Sequence, residues 1–145
     1  MDNKIIAILR KNGRISLTEL AEKVGISLSP VQRRVKALEE NGTILGYRTD
    51  IDNAHLGLNF SIMLFVNLKE TTQDNILAFE NALATIDEIV EAVRLFGEPD
   101  YLVKILTQDL ASYQKLYDTQ LSSLPNVQKI TSTLVMKDIQ LNNIN

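Results

Sequence analysis

A connection of only four residues, Gly25-Ile26-Ser27-Leu28, separates two segments whose apolar residues recur at the spacing of an α-helix. The apolar stripe of the first segment contains Leu17, Leu20, Ala21 and Val24, and that of the second contains Val31, Val35 and Leu38. So short a connection forces a sharp crossing between the two helices. The N-terminal part of the chain is therefore predicted to contain a helix-turn-helix.

Capping residues predict where the first two helices begin and end. A helix over residues 2–11 is expected to stop at Asn12-Gly13, which has the form of a C-terminal glycine signal. Ser16 and Glu19 have the spacing of a capping box, in which each side chain satisfies a free backbone N–H of the first turn. The second helix should thus open at Ser16 and end at Gly25.

The third helix is predicted to open at Ser29. Pro30 would then occupy the first helical position, where its missing N–H costs nothing, and Gln32 would complete a second capping-box spacing. Asn41-Gly42 should close this helix. The following stretch, Thr43–Ile51, is rich in β-formers and is expected to form a small wing or a connecting strand.

Charge divides the chain into a basic front and an acidic remainder. Residues 1–50 hold nine Lys or Arg and six Asp or Glu, a net charge of +3, whereas residues 51–145 hold six and twelve, a net charge of −6. This asymmetry indicates two modules with different partners.

Several function classes are excluded by residues that the chain lacks. It has no cysteine and one histidine, His55, which excludes a disulfide scaffold, a thiolate zinc site, an iron–sulfur cluster, a cysteine nucleophile and a His-rich metal site. No Gly-x-Ser-x-Gly elbow or Gly-rich phosphate loop occurs, so we predict no enzyme activity. No apolar run approaches the roughly 18 residues that cross a bilayer, and no signal peptide is evident, so we expect a soluble cytoplasmic protein.

The back half alternates between strand and helix patterns. The predicted elements, in the order β-α-β-β-α-β, are Asn59–Lys69, Asp74–Ile86, Glu88–Phe96, Tyr101–Thr107, Asp109–Leu124 and Val127–Ile139. This order is that of a ferredoxin-like, split βαβ domain with both helices on one face of an antiparallel sheet. The first strand is almost continuously apolar and is expected to be buried on both faces. Met63 and Phe65 would then lie on the face without helices, which we expect a partner chain to cover.

Six short motifs follow one another in a recognisable order. They are N-G-R-I-S from residue 12, E-L-A from 19, V-G-I-S from 24, S-P-V-x-R-R-V from 29, G-x-I-x-G-Y from 42 and G-x-x-D-Y from 97. Together they resemble the leucine-responsive regulator/asparagine regulator (Lrp/AsnC) family of transcription factors over essentially the whole chain. The resemblance implies a helix-turn-helix that binds double-stranded DNA, a βαββαβ domain that binds an amino acid, and homodimers that often assemble into tetramers or octamers.

The predicted fold class is therefore α+β, a winged-helix-like helix-turn-helix domain followed by a ferredoxin-like domain. We divide the chain into a DNA-binding domain over residues 1–43, a connecting strand or linker over 44–57, and an effector-binding and oligomerisation domain over 58–145.

Residues at the start of a recognition helix lie against base edges in the major groove. Those that we expect at the DNA are Ser16, Thr18, Ser27, Ser29, Val31, Gln32, Arg33 and Lys36. Gln32 and Arg33 are predicted to read bases, since Gln pairs with adenine and Arg with guanine. The hydroxyl groups and Lys36 are predicted to grip phosphates. The alternative is a solvated face in which Arg33, Arg34 and Lys36 pair with Glu39 and Glu40.

The turn Gly97-Glu98-Pro99-Asp100-Tyr101 is the candidate effector site. Asp100 can accept the ammonium group of an amino acid, nearby backbone N–H groups can take its carboxylate, and Gly97 allows close approach to the backbone. The resemblance places the pocket between dimers, so that the last strand of a neighbour lines it. The candidate effector residues are Gly97, Glu98, Asp100, Tyr101, Thr133, Leu134 and Val135. The alternative is a hairpin turn that Pro99 and Asp100 merely suit.

The residues predict a sequence-specific DNA-binding regulator. The resemblance implies that it acts on amino-acid metabolism genes, is modulated by a small amino acid and needs no other cofactor. Two alternatives stay open. One is an architectural DNA-binding protein that needs no ligand. The other is a metabolite-sensing module whose front half contacts protein instead of DNA.

Overall fold

The computed structural model describes residues 1–139 and 141. They divide into two units, one built on Met1–Ile51 and the other on Asp52–Asp138. Within the described residues, no helix combines the length and the apolar character that a membrane crossing requires. The first unit is helical and the second is a βαββαβ sheet domain, so the predicted α+β fold class is confirmed.

Three helices form the first unit: α1 (Asp2–Lys11), α2 (Leu17–Val24) and α3 (Leu28–Glu40). Their apolar stripes meet in a core whose fully buried members are Ile5, Leu20 and Val31. Because α1 contributes Ile5 to this core, the helix-turn-helix pair rests on a third helix that holds it in place.

Local capping sets both ends of α2. The Ser16 hydroxyl accepts a hydrogen bond from the Glu19 N–H at 3.1 Å, and Gly25 ends the helix in the left-handed region at φ 79°. Glu19 itself pairs with Lys23 at 3.4 Å, so the capping box is half formed. α1, by contrast, does not end with a glycine in the left-handed region. Its C-terminal capping residue is Asn12, at φ −148°.

The predicted start of α3 is wrong by two residues. Ser27 is the cap, in an extended conformation, and Leu28 is the first helical residue, so Ser29 lies inside the first turn. Pro30 is tolerated there because the first backbone N–H that returns into the helix belongs to Val31, which donates to the Ser27 carbonyl. A proline just before that donor removes no helical hydrogen bond, whichever of these early positions it occupies.

The expected wing or connecting strand over residues 43–51 is absent, since none of these residues is in a strand. After α3 the chain turns back, and the Ile44 N–H donates to the Leu38 carbonyl at 2.9 Å. A strand is defined by the ladder it forms with a neighbour, and the described residues place no strand beside this segment. A short 3₁₀ helix over Asn53–Leu56 follows, capped by Asp52.

The second unit contains β1 (Phe60–Leu68), α4 (Gln73–Leu83), β2 (Ile89–Arg94), β3 (Tyr101–Thr107), α5 (Leu110–Thr119) and β4 (Val127–Leu134). The strands form one antiparallel sheet in the order β2-β3-β1-β4. This arrangement confirms the predicted βαββαβ topology.

Two elements, β4 and α5, are shorter than predicted by five residues or more. β4 ends at Leu134, which pairs with Ile62, and does not reach Ile139, because β1 begins at Phe60 and has only two residues beyond that pair. α5 ends at Thr119, ahead of the predicted Leu124. After it, the hydroxyl groups of serines bond to nearby backbone carbonyls, which competes with continuation of the helix.

The two faces of the sheet differ. Ile62, Leu64 and Val66 of β1 are 2% exposed or less and pack with residues of α4 and α5 in one core. Met63 is half-buried and Phe65 is 36% exposed on the opposite face. The prediction that β1 is buried on both faces is therefore wrong for the single chain, because both helices lie on one side.

Candidate functional site

The third helix of the first unit has a buried and an exposed side. Val31, Val35 and Leu38 are buried, whereas Gln32 and Arg33 are exposed. Val31 is 0% exposed, so its predicted place at a DNA base is wrong: its side chain belongs to the core. The structure thus separates the two roles that the sequence assigned to this residue.

The charged residues of α3 differ in what they contact. Arg34 binds the Asp2 carboxylate at 2.8 Å, which ties α3 to the start of α1. Lys36 lies 3.7 Å from Glu40, and both are largely exposed. Within the described part of the chain, no carboxylate pairs with Arg33. The solvated-face alternative therefore applies to Lys36 and not to Arg33.

The hydroxyl-bearing candidates are placed at the starts of the two helices. Ser16 and Thr18 lie at the start of α2, Ser27 and Ser29 at the start of α3, and all four are exposed. Ser27 makes no side-chain capping bond, so its hydroxyl is not engaged by its own helix. Free backbone N–H groups at helix starts, together with such hydroxyls, suit phosphate oxygens.

Tyr47 is a residue that sequence reasoning missed. Its hydroxyl donates to the Glu39 carboxylate at 2.7 Å, and its ring lies so near Gly13 that an added Cβ would be 3.3 Å from it. Loss of hydration, then the hydrogen bond and charge of Glu39, raise the pKa of Tyr47 to about 12. Tyr47, Gln32 and Lys36 share the lining of a groove of about 490 Å³. The signal was the aromatic residue in the glycine-tyrosine pair after α3.

The turn between β2 and β3 is anchored to the end of β1. Asp100 accepts the Leu68 N–H through Oδ2 at 2.8 Å, and its own N–H donates to the Val66 carbonyl at 3.0 Å. Glu98 accepts the side-chain amide of Asn67 at 2.8 Å. One Asp100 oxygen thus has the structural role of the hairpin alternative, and the other is not engaged in the described bonds.

A cavity of about 390 Å³ opens beside this turn. It is lined by Thr71, Ile76, Arg94, Leu95, Phe96, Gly97, Asp100 and Tyr101. Three of the four turn residues predicted for effector binding come together here, while Glu98 points its carboxylate to Asn67 instead. The lining from β2, including Arg94, was not foreseen. Its positive charge, at the end of the strand that leads into the candidate turn, was the available signal.

Two residues of the cavity lining, Tyr101 and Arg94, both contact Glu80 of α4. Tyr101 is 2% exposed, and its hydroxyl donates to Glu80 at 2.8 Å. Arg94 lies 3.2 Å from the same Glu80 oxygen. Burial, followed by the bond to Glu80, raises the pKa of Tyr101 to about 12, and Arg94 opposes this shift.

The candidate residues of β4 lie at the other end of the sheet. Thr133 pairs with Met63, and the Val135 N–H donates to the Ser61 carbonyl. The turn instead binds Val66 and Leu68, about five residues further along β1, so the two groups are separated by roughly 17 Å. One chain therefore does not bring Thr133, Leu134 and Val135 to its own cavity. In the described residues, no cluster of three acidic or histidine side chains suits a metal ion.

Comparisons with known proteins match a separate family model to each of the two structural units. Residues 1–44 match the family model for a winged helix-turn-helix DNA-binding domain, and residues 61–143 match that for the Lrp/AsnC ligand binding domain.

Similar curated proteins cover nearly the whole chain. The proline dehydrogenase transcriptional activator of Rhodobacter capsulatus is 38% identical over 95% of this chain and 90% of its own. The Bkd operon transcriptional regulator of Pseudomonas aeruginosa is 34% identical over 97% and 92%. A solved transcriptional regulator from Neisseria meningitidis, in complex with L-Met, has a TM-score of 0.88 at 29% identity and covers 97% of this chain and 90% of its own.

Proposed function

Because this chain belongs to the Lrp/AsnC family of DNA-binding transcriptional regulators, we propose that it recognises specific DNA sequences near amino-acid metabolism genes and that a small amino acid modulates this binding. Proteins of this family are regulators and not enzymes. The observation that carries the DNA proposal is the exposed pair Gln32 and Arg33 on a helix whose opposite side is fully buried.

Base reading is assigned to Gln32 and Arg33. Arg33 has no carboxylate partner in the described residues, so its guanidinium can meet a guanine edge without first breaking an ion pair. The exposed hydroxyl groups of Ser16, Thr18, Ser27 and Ser29, with Lys36, contact phosphates. These contacts set the position of the helix on the duplex, and the base contacts select the sequence.

A single DNA-binding unit is weakly charged, which favours a dimer. Its net charge of +3 neutralises few phosphates, and because affinity grows with the number of phosphates neutralised, a single unit binds weakly at physiological salt. A homodimer doubles the contacts and reads two half-sites roughly 34 Å apart. The sheet face that bears Met63 and Phe65 is a surface that a second copy can cover. Tetramers or octamers of such dimers would place β4 of one chain, with Thr133, Leu134 and Val135, at the cavity of another.

The effector proposal rests on the cavity beside Asp100. A volume of about 390 Å³ accommodates a small amino acid, and relatives carry names that refer to proline dehydrogenase and leucine. An amino acid that prefers one assembly state would shift DNA binding by its difference in affinity for the two states. Such a regulator works in the cytoplasm. In this proposal, residues 1–43 bind DNA, residues 44–57 connect the two domains, and residues 58–145 bind the effector and form the assembly.

Fluorescence anisotropy with the promoter region of the chain's own gene tests the DNA proposal. We expect salt-dependent binding that unrelated competitor DNA displaces poorly. Gln32→Ala and Arg33→Ala should each weaken specific binding about tenfold or more. Lys23→Ala is the matched control, because Lys23 is an exposed cation at the far end of α2 that already pairs with Glu19.

Three results would contradict parts of this proposal. Equal displacement by unrelated DNA would indicate the architectural alternative. The absence of any DNA binding, with ligand binding intact, would indicate a sensor module. Variants of Gln32 and Arg33 that bind like the Lys23 control would remove the base-reading assignment.

A further inference from the structure

Arg94 and Asp100 place opposite charges in the lining of one cavity. Arg94 ends β2, and the register pairs it with Tyr101, so it lies on the side of the sheet that the helices cover. Asp100 lies next to Tyr101, at the turn. They are the only charged residues among the residues that line this cavity in the described structure.

Asp100 is half-engaged. Its Oδ2 atom accepts the Leu68 N–H, and its Oδ1 atom takes part in none of the hydrogen bonds of the described residues. A carboxylate has about four acceptor positions, so this second oxygen retains the capacity to bind an ammonium group.

Arg94 is also half-engaged. It meets Glu80 through one nitrogen, Nη1, at 3.2 Å. The Glu80 oxygen in this pair already accepts the Tyr101 hydroxyl at 2.8 Å. A guanidinium has five N–H donors in a planar fork that suits two carboxylate oxygens. A contact through one nitrogen therefore leaves most of its donors available.

The pair between Arg94 and Glu80 is weak enough to be exchanged. Their side chains are 56% and 40% exposed, and ion pairs that water reaches contribute little. If Arg94 turns to another carboxylate, Glu80 keeps the Tyr101 hydroxyl and is not left without a partner. The exchange thus leaves no buried charge unpaired.

We infer that Arg94 binds the carboxylate of an α-amino acid in this cavity and releases Glu80 to do so, while Asp100 binds the ammonium group. This inference rests on the proposed effector function and assigns the two ends of its ligand. Ile76, Leu95 and Phe96 supply the apolar part of the wall. With one cation and one anion in the lining, the cavity suits a zwitterion whose side chain is uncharged.

The assignment makes Glu80 a competitor of the ligand. Glu80→Gln removes the competing charge but keeps an oxygen that accepts the Tyr101 hydroxyl. It should therefore tighten ligand binding, by up to about fivefold for an exposed pair. Arg94→Gln removes the receptor and should weaken binding by about tenfold or more. Opposite effects of two partners in one ion pair are not expected from a purely structural pair.

Isothermal titration calorimetry tests this assignment. The full chain is titrated with each of the twenty L-amino acids, and then with the α-carboxamide of each amino acid that binds. The carboxamide should bind the wild type at least about tenfold more weakly, and Arg94→Gln should abolish that preference. Lys115→Gln is the matched control, an exposed cation on α5 of the same unit. Arg94→Lys keeps the charge without the fork and should lie between the wild type and Arg94→Gln. Thermal unfolding without ligand verifies that each variant is folded.

The outcomes separate the inference from the function on which it rests. If the wild type binds amino acids and Arg94→Gln binds them equally well, the carboxylate is held elsewhere and the inference is wrong. If Glu80→Gln weakens binding as Arg94→Gln does, the pair acts as a unit and the exchange is wrong. If the wild type binds none of the twenty, the effector function itself is wrong, and the assignment falls with it.

Discussion

Replacing Tyr101 with Phe removes one hydroxyl from the core of the second unit and should change how stability depends on pH. The ring is 2% exposed and lies 4.6 Å, between centroids, from the ring of Phe79, and Phe preserves these contacts. The variant loses the hydrogen bond to Glu80. A bond to a charged acceptor contributes about 1.5–3 kcal/mol. Because Glu80 is 40% exposed and keeps Arg94, we expect a loss of about 1 kcal/mol at pH 7.

The difference in free energy of unfolding between the wild type and Tyr101→Phe should then narrow and reverse at high pH. The pKa of Tyr101 rises from 10.0 to about 12 in the folded chain. A group whose pKa is raised by folding stabilises the fold fully below its unfolded pKa, and this contribution is lost as the pH rises through the folded value. The wild type should therefore lose stability between pH 10 and about 12, and the Phe variant lacks this loss. Two units of pKa correspond to at most about 2.7 kcal/mol, and screening at the exposed Glu80 reduces this to about 1–2 kcal/mol.

Urea denaturation followed by circular dichroism, at fixed protein concentration and at pH 7, 9, 11 and 12, measures both effects. Tyr117→Phe is the control, since the Tyr117 hydroxyl makes no hydrogen bond within the described residues. A difference between wild type and Tyr101→Phe that stays constant up to pH 12 would refute the reasoning. So would a wild type that is no more stable than the variant at pH 7.

Four further substitutions test other contacts. Ser16→Ala removes the cap of α2 and should lower the free energy of unfolding by about 1 kcal/mol in urea denaturation; no change would show that the cap is dispensable. Gly25→Ala places a Cβ on a residue in the left-handed region. The strain should cost about 1 kcal/mol of folding free energy and thereby lower the melting temperature. Val31→Ala, in the core, should lower stability by about 2–3 kcal/mol but leave the DNA affinity of the folded protein unchanged, and a selective loss of affinity would contradict its burial. Asp100→Ala leaves the Leu68 N–H without its acceptor and should cost about 1–2 kcal/mol in thermal unfolding.

Elements with strong local signals were predicted closely. The bounds of α2 follow from Ser16 and Gly25, whose capping contacts lie within a few residues. The bounds of β3, Tyr101–Thr107, follow from alternation and from the turn before it, and the predicted and observed ranges coincide. In both cases the interaction that sets the boundary lies next to it in the chain.

The site was predicted in part. The sequence pointed to the turn at Gly97, Asp100 and Tyr101, and all three line the cavity. Arg94 was missed because its importance comes from Glu80, which lies on α4, and no spacing along the chain reveals that pair. Val31 was given two roles because a helical pattern shows which residues share a stripe but not how far the core extends around the helix.

The sequence by itself determined the order of the elements, the helix-turn-helix and the βαββαβ topology, because apolar periodicity and caps act over a few residues. Tertiary structure decided where β4 stops, whether residues 43–51 form a strand, and which face of β1 is buried. Each of these depends on a partner distant in sequence: a strand needs a neighbour to complete its hydrogen bonds, and a side chain is buried by whatever packs against it. Pro30 shows where the information in the sequence ends. The same proline fits two possible starts of α3, and only the contacts of Ser27 and Val31 select one of them.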